Sequence, residues 1–600
     1  MLQKPLFMLF YNSLYADTPI GDWFNVVYHG LPLDLSLAGY LSILPGLLFI
    51  ASAWTRSGIM CNIWKGYLWV VSVLLSVIFV VDLGLYEYWG FRLDATPLFY
   101  FFSSPKDALA SISLWMVLGG IVAMVLIAVL LYFVLSRLLQ KMKLPRQRIA
   151  TSVVMLLLTA LLIIPIRGGF TVSTMNTGKV YFSSNLRLNH AATNPAFSFM
   201  ESLSKQKNFA AQYRFMDSAD ADAVFASLQD TQARENNTAT EIAPKDTLLT
   251  TQRPDILLII LESFSSHLME SLGGEPNVAV CMDSLAKEGV LFTNMFANSF
   301  RTDRGLVSVL SGYPAQPTTS IMKYPRKTQS LPSIAGSLRK AGYRTKYYYG
   351  GDADFTNMRS YLVSSGFESI VSDRDFSVSE RLSKWGAHDH VVYNRVLNDL
   401  QEEANQPTEK KEPYYRVLQT SSSHEPFEVP FRRLENDRLN AFAYADSCLG
   451  DFIQRFKELP QWENTLVVLI PDHLGAYPQN ITNLELQRYT IPLLMVGGAV
   501  RQQRQIDTYG SQHDLAATLL AQLGLPHGEF TFSKDLLDNN VPHFAFFTVP
   551  DAFGMVTTEN QLIYDCQSDR VVVDSGNAQG KNLTPGKAYL QKLYDDLAKR

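Results

Sequence analysis

Asp255-Ile-Leu-Leu-Ile-Ile-Leu261, followed at once by Glu262-Ser263, is the stretch on which the fold turns. Seven residues with no polar interruption after Asp255 are too few for a buried helix. Their β-branched and leucine character fits a strand covered on both faces, as in a parallel sheet. Similar runs recur at Tyr343–Tyr349, Tyr415–Thr420, Leu466–Ile470 and Ile491–Val496. Helical spacing lies between them, at 281–289, 331–341, 437–458 and 511–523. Strands alternating with helices predict an α/β domain with a mainly parallel central sheet, starting near Arg253 and running through 253–600. In such sheets functional side chains collect just beyond the carboxyl ends of the strands.

Outward from that domain, the chain changes character. Residues 1–166 are dominated by apolar runs, and four of them, about 35–54, 67–86, 111–135 and 149–166, supply roughly the 17–25 apolar residues a bilayer crossing needs. The segment at 5–15 (PLFMLFYNSLY) is apolar but short; it reads as an interfacial segment or the remnant of a fifth span. No basic n-region with a small-residue cleavage site precedes the first span, so no cleavable signal peptide is expected. The loop holding Arg137, Lys141, Lys143, Arg146 and Arg148 has no acid, nor does the loop with Arg56 and Lys65. Positive loops stay cytoplasmic, which sends the fourth span outward and puts everything after Arg167 outside the membrane. Residues 167–252 read as an extracytoplasmic linker, with helical spacing at 217–228 and a polar stretch at 231–247.

Six hundred residues exceed one compact core. A net charge of −4 gives no basic face for nucleic acid. The four cysteines, Cys61, Cys281, Cys448 and Cys566, form no CxxC pair and suggest neither a zinc ribbon nor a disulfide framework.

Three strand-end or loop elements carry chemistry. Glu262 directly follows DILLIIL. The run Leu466–Ile470 ends in Pro471-Asp472-His473-Leu474-Gly475, offering a hard oxygen and an imidazole side by side, which suits Mn²⁺, Mg²⁺ or Zn²⁺. In Asn298-Ser299-Phe300-Arg301-Thr302-Asp303-Arg304-Gly305, Thr302 precedes a small-residue helical stretch, so its hydroxyl would sit at a helix N-terminus that favours an anion. A metal beside it would lower the hydroxyl pKa and make a nucleophile.

The order Glu, Thr, Asp-His resembles the lipoteichoic acid synthase family of the alkaline phosphatase/sulfatase superfamily. The similar pieces are LESFSS (261–266), NSFRTDRG (298–305), SGYP (311–314), YYYGGDADFTNM (347–358), KWGAHD (384–389), SSSHEPF (421–427), PDHLG (471–475) and SQHDLAATLL (511–520). The resemblance implies a multi-pass anchor in the cytoplasmic (inner) membrane with a catalytic domain on the extracytoplasmic side. It implies one divalent ion, typically manganese, on Glu262, Thr302, Asp472 and His473, with Thr302 as nucleophile. It implies that His424 contacts the phosphate or glycerol part of the substrate, that Trp385 and Asp389 lie near that pocket, and that Asp352, Asn357 and Arg359 shape the head-group site. One departure stands out: Gly350 occupies the position where Gram-positive members carry a histidine. The activity implied is transfer of a phosphoglycerol group from a membrane phospholipid such as phosphatidylglycerol, through a threonine ester, to an envelope glycan or glycolipid hydroxyl. A phosphoethanolamine transferase or a sulfuric or phosphoric ester hydrolase is the alternative. A true sulfatase is disfavoured because no Cys/Ser-x-Pro-x-Arg pattern stands near Thr302. The few cysteines disfavour the disulfide-rich phosphoethanolamine transferases, and the complete ligand quartet disfavours a catalytically dead scaffold.

Overall fold

A computed structural model describes residues 1–55, 58–89, 92–94, 114–139, 147–170, 174–183, 185–204, 208–229, 246–405 and 412–600. The chain forms two compact units, Met1–Lys207 and Asn208–Arg600. The division falls inside the segment read from sequence as linker. Its helices Leu186–Ala192 and Pro195–Ser204 belong to the first unit, and Ser218–Ala226 to the second. All but the last two residues of the polar stretch at 231–247, and most of the basic loop after the third span, lie outside the described residues.

Among the described residues, the first unit carries four helices long and apolar enough to cross a membrane: Ile20–Ser52, Ile59–Glu87, Trp115–Arg137 and Arg148–Arg167. They fit a membrane-anchored protein. The first begins well before residue 35, where hydropathy alone would start it. Its early turns contain Asp22, Asn25, His29 and Asp34, which depress the apolar signal without breaking the helix. Asp34 is not left bare, because it accepts from Lys4 Nζ at 2.6 Å and Asn194 Nδ2 at 2.7 Å. Residues 5–15 fall in two short helices, Gln3–Phe10 and Asn12–Tyr15, neither long enough to span a bilayer.

The second unit is built on a nine-stranded sheet. Its strands are β1 (Asp255–Leu261), β2 (Val290–Phe296), β3 (Arg344–Tyr349), β4 (Ser369–Val371), β5 (Tyr414–Gln419), β6 (Thr465–Pro471), β7 (Thr490–Val496), β8 (Arg504–Ile506) and β9 (Gly510–Ser511). The order is β4-β3-β5-β1-β6-β7-β2-β8, with β9 paired to β2. All neighbours run parallel except β7, which is antiparallel to both β6 and β2. β1 lies between β5 and β6, with Ile260 beside Gln419 on one side and Ile470 on the other. That central place explains DILLIIL: apolar clusters cover both sheet faces, so neither side of the strand meets water.

Two elements depart from expectation. The helix read at 281–289 stops at Leu285, and β2 begins at Val290. Gly289 joins them where a Cβ would stand 2.3 Å from the Met495 carbonyl oxygen, so β2 can reach β7 only through a glycine. The sequence reading also gave no elements past residue 523. There the chain makes a four-stranded antiparallel sheet of β10 (Ala545–Val549), β11 (Ala552–Val556), β12 (Gln561–Asp565) and β13 (Arg570–Ser575), and ends in the helix Leu583–Lys599.

Candidate active site

Because β1 and β6 are parallel neighbours, their carboxyl ends deliver Glu262 and Asp472-His473 to the same edge. Ser263 turns the chain sharply there, with φ of 58°, a left-handed conformation costly for a residue with a Cβ. The turn lets the Ser263 N–H donate to Asp472 Oδ1 at 2.8 Å and the Ser263 hydroxyl donate to Glu262 Oε1 at 2.7 Å. The His473 N–H also donates to Asp472 Oδ1, at 2.8 Å. Thr420 Oγ1, at the end of β5, accepts from the Glu262 N–H at 2.9 Å, and Ser423 Oγ donates to the Glu262 carbonyl at 2.7 Å. Three strand ends are thus tied into one frame.

The helix Thr302–Ser311 brings the fourth residue. Thr302 is its first residue, and its Oγ1 lies 3.4 Å from Glu262 Oε2 and 3.3 Å from His473 Nε2. His473 Nε2 is 3.8 Å from Glu262 Oε1 and 3.5 Å from Asp472 Oδ2. Among the described residues, Glu262, Asp472 and His473 form one group whose ligand atoms all lie within 4.8 Å of one another. All three are buried, Asp472 completely.

Two buried carboxylates side by side repel. Burial, and after it the Asp472 charge, pushes Glu262 well above the usual carboxylate value. Asp472 Oδ2 is buried with no hydrogen-bond donor. A divalent cation would answer both features, and a set of two carboxylates, one imidazole and one hydroxyl fits Mn²⁺, Mg²⁺ or Zn²⁺.

The other candidate residues divide. His424 packs against Trp385 with ring centroids 4.2 Å apart and planes inclined by 52°, and Trp385 Nε1 donates to the Glu425 carbonyl at 2.6 Å. Burial holds His424 below the ordinary histidine value, and nearby His473 adds to that effect. Asp389 Oδ1 accepts from the Ser421 and Ser422 N–H groups at 2.8 and 3.1 Å, so it braces the loop that carries His424. Burial raises the Asp389 carboxyl to about 6. Asp352 Oδ1 accepts from the Asp354 N–H at 2.9 Å. Asn357 is buried, with φ of 66°, at the start of the helix Met358–Ser364. Arg359 is turned inward: its Nε donates to Asp354 Oδ1 at 2.7 Å and its guanidinium to Ser372 Oγ at 3.0 Å. Its charge is spent on fixing the 352–374 loops. Sequence reasoning gave no part to Tyr349, whose hydroxyl is raised by burial and then by the Glu262, Asp352, Asp472 and Asp373 carboxylates around it. Ser263, Thr420, Asn298 and Gln512 were likewise assigned nothing, although LESFSS, NSFRTDRG and SQHDLAATLL contain three of them.

Residues 254–525 match the Sulfatase family model. This segment is a sulfatase-like α/β domain. Phosphoglycerol transferase I of Xanthomonas campestris pv. campestris (strain B100) is 28% identical to the chain over 221 residues, 34% of this chain and 31% of that protein. Lipoteichoic acid synthase 1 of Bacillus subtilis (strain 168) is 24% identical over 405 residues, 60% of each. The matched stretches therefore fall short of these relatives' full length. A protein in the alkaline phosphatase superfamily from Vibrio parahaemolyticus superposes with a TM-score of 0.53 at 25% identity, covering 65% of this chain and 98% of its own. A lipoteichoic acid synthase from Listeria monocytogenes shares the fold, with a TM-score of 0.51 at 18% identity over 62% of this chain and 98% of its own. The sulfatase-like domain brings Thr302, Glu262, Asp472 and His473 together at the carboxyl edge of its parallel strands.

Proposed function

We propose that this protein is a membrane-anchored, metal-dependent phosphotransferase that moves a phosphoglycerol or related phospho-alcohol group from a phospholipid to an acceptor hydroxyl. The observation that carries this reading is the Thr302 hydroxyl, set at a helix N-terminus 3.4 Å from Glu262 and 3.3 Å from His473. Glu262, Thr302, Asp472 and His473 would hold one divalent ion, with manganese favoured by the family resemblance. When bound, such an ion supplies positive charge that lowers the hydroxyl pKa and neutralises the phosphate.

Thr302 Oγ1 attacks the phosphorus of the donor lipid, and its proton passes to water. The Oγ–P bond forms as the P–O bond to diacylglycerol breaks, and the leaving oxygen takes up a proton. The hydroxyl of an envelope glycan or glycolipid then attacks the same phosphorus. Its proton goes to His424, whose pKa burial holds down, and the departing Thr302 oxygen takes up a proton from water to regain its hydroxyl. The amides at the start of Thr302–Ser311 face the phosphoryl oxygens. Trp385 holds His424 in place, and Asp352, Asn357 and Arg359 shape the head-group side. We place the catalytic domain outside the cytoplasmic membrane, on the strength of the acid-free basic loops.

A phosphoethanolamine donor is the second reading. It is favoured by the Asp352 and Asp373 carboxylates around Tyr349, a negative flank suited to an ammonium group. The test is incubation of the full chain with labelled phosphatidylglycerol or phosphatidylethanolamine in mixed micelles with Mn²⁺. Diacylglycerol released from the first alone supports phosphoglycerol transfer, release from the second alone supports the alternative, and release from neither refutes both.

A further inference from the structure

The motif SQHDLAATLL has no part in the chemistry above, yet its second and third residues lie fully buried behind the site. Gln512 follows β9, and its N–H donates to the Phe296 carbonyl at 3.0 Å. Its side chain then joins the two halves of the site. Nε2 donates to the consecutive carbonyls of Pro471 and Asp472, at 2.5 and 2.7 Å. Oε1 accepts from the N–H of Asn298 at 2.8 Å. One amide therefore grips the turn bearing Asp472-His473 and the loop leading to Thr302.

Asn298 is held just as closely. Its Nδ2 donates to the Phe546 carbonyl at 2.7 Å, while its Oδ1 accepts from Ser308 Oγ at 2.9 Å and from the Ala315 N–H at 3.3 Å. His513 Nδ1 approaches the same Oδ1 at 3.0 Å. Since that oxygen can only accept, the imidazole carries a proton on Nδ1; its Nε2 lies 3.0 Å from the Tyr589 hydroxyl, which donates to the Phe532 carbonyl at 3.0 Å. The Asn298 carbonyl in turn accepts from the Thr548 N–H at 2.8 Å.

We propose that Gln512 is a positioning residue: its amide sets the separation between the nucleophile loop 298–302 and the ligand turn 471–473, with Asn298 and His513 fixing the loop's side of that gauge. The chemistry of the position demands a primary amide. Glutamate would set an oxygen against two carbonyl oxygens, and methionine would leave two carbonyls and one N–H without partners. A local error of about 1 Å between Thr302 and its partners would weaken ion binding and misalign attack together. The proposal rests on the transfer reading for its kinetic arm only.

The test uses the full chain in detergent micelles, with Mn²⁺ alone as the binding probe and phosphatidylglycerol as the donor. Gln512→Met and Gln512→Glu are compared with Gln591→Met. Gln591 is equally buried; it accepts from the Phe215 and Met216 N–H groups and donates to the Met216 carbonyl, within the same unit but with no link to the site. We expect both Gln512 variants to bind Mn²⁺ roughly 10- to 100-fold more weakly and to form the threonine adduct about 100-fold more slowly. Gln591→Met should lower the unfolding temperature comparably and leave both readouts unchanged. Equal loss of Mn²⁺ affinity in the Gln512 and Gln591 variants, or none in Gln512→Met, overturns the proposal. Should the Gln512 variants fail to fold, His513 decides. His513→Asn keeps a donor at the Nδ1 position and should retain Mn²⁺ affinity, while His513→Gln lacks it and should lose affinity; the reverse order overturns the proposal. A wild-type chain that binds Mn²⁺ but forms no adduct refutes the transfer reading and leaves the Mn²⁺ comparison to judge Gln512.

Discussion

A Cβ built on Gly305 would stand 2.3 Å from the carbonyl oxygen of Asp472. The helix that begins at Thr302 therefore rests directly on the backbone of the ligand turn, with no side chain between them. Gly305→Ala should push the two apart. The expected cost is about 1–3 kcal/mol of stability, from forced overpacking in a closed site. Weaker Mn²⁺ binding should accompany it. Thermal unfolding and calorimetric titration of the same sample check both.

Thr302→Ala should abolish adduct formation and lower turnover by on the order of a thousandfold or more, because the attacking oxygen is gone. Thr302→Ser should retain part of the activity, since it restores the hydroxyl without the methyl group that narrows rotamer choice. Intact-mass analysis after exposure to donor lipid is the measurement. An alanine variant turning over at the parent's rate would point to attack by water instead.

Asp472→Asn should weaken Mn²⁺ binding by at least about 100-fold, since loss even of groups that merely orient metal ligands costs 10–100-fold. Asparagine keeps the oxygen that accepts from Ser263 and His473 but removes the buried charge at Oδ2. Without ion, that variant should unfold at a higher temperature than the parent, because the repulsion with Glu262 is gone. Unfolding scans with and without chelator make the comparison.

Adding Mn²⁺ to chelator-treated parent protein should raise its unfolding temperature, by mass action on the folded state. The gain is about 2.7 kcal/mol when free ion exceeds Kd a hundredfold. Asp472→Asn should show little of it.

Burial holds the His513 imidazole down to about 4. The unfolded chain, with the ordinary histidine value near ~6.5, takes up a proton first as pH falls. Stability contributed by this residue is therefore complete above pH ~6.5 and is lost progressively down to pH ~4, by at most about 3 kcal/mol. Asp255 and Asp446, raised by burial to about 6, act in the opposite direction, so total stability does not isolate the effect. The difference in unfolding temperature between parent and His513→Asn, followed from pH 7 to pH 4, does: the parent should lose ground steadily.

Much of this was written plainly in the chain. DILLIIL announces a central strand because both its faces are covered, and a carboxylate placed directly after it can only emerge at the strand's carboxyl end. Asp472-His473 is legible for the same reason. Thr302 could be read as a helix start from the small residues behind it. The inward turn of Arg359 toward Asp354 could not, because the pairing depends on how the 352–358 and 372–374 loops fold against each other. Nor could the role of Gln512, whose partners are backbone groups of residues some forty and two hundred positions away and leave no mark on composition or spacing. The first membrane helix was underread because hydropathy counts Asp34 as a cost and cannot see the lysine and asparagine that satisfy it.

The C-terminal sheet has a practical bearing on how this protein tolerates cutting. Every residue proposed to touch ion or substrate precedes residue 474, and the family match ends at 525. Yet Phe546 and Thr548 of β10 supply the carbonyl and N–H that clamp Asn298, four positions before the nucleophile. A fragment ended at the family boundary would keep every reactive group and lose the wall behind the threonine. Loss of the segment after residue 525 would thus silence the site without removing any residue of it.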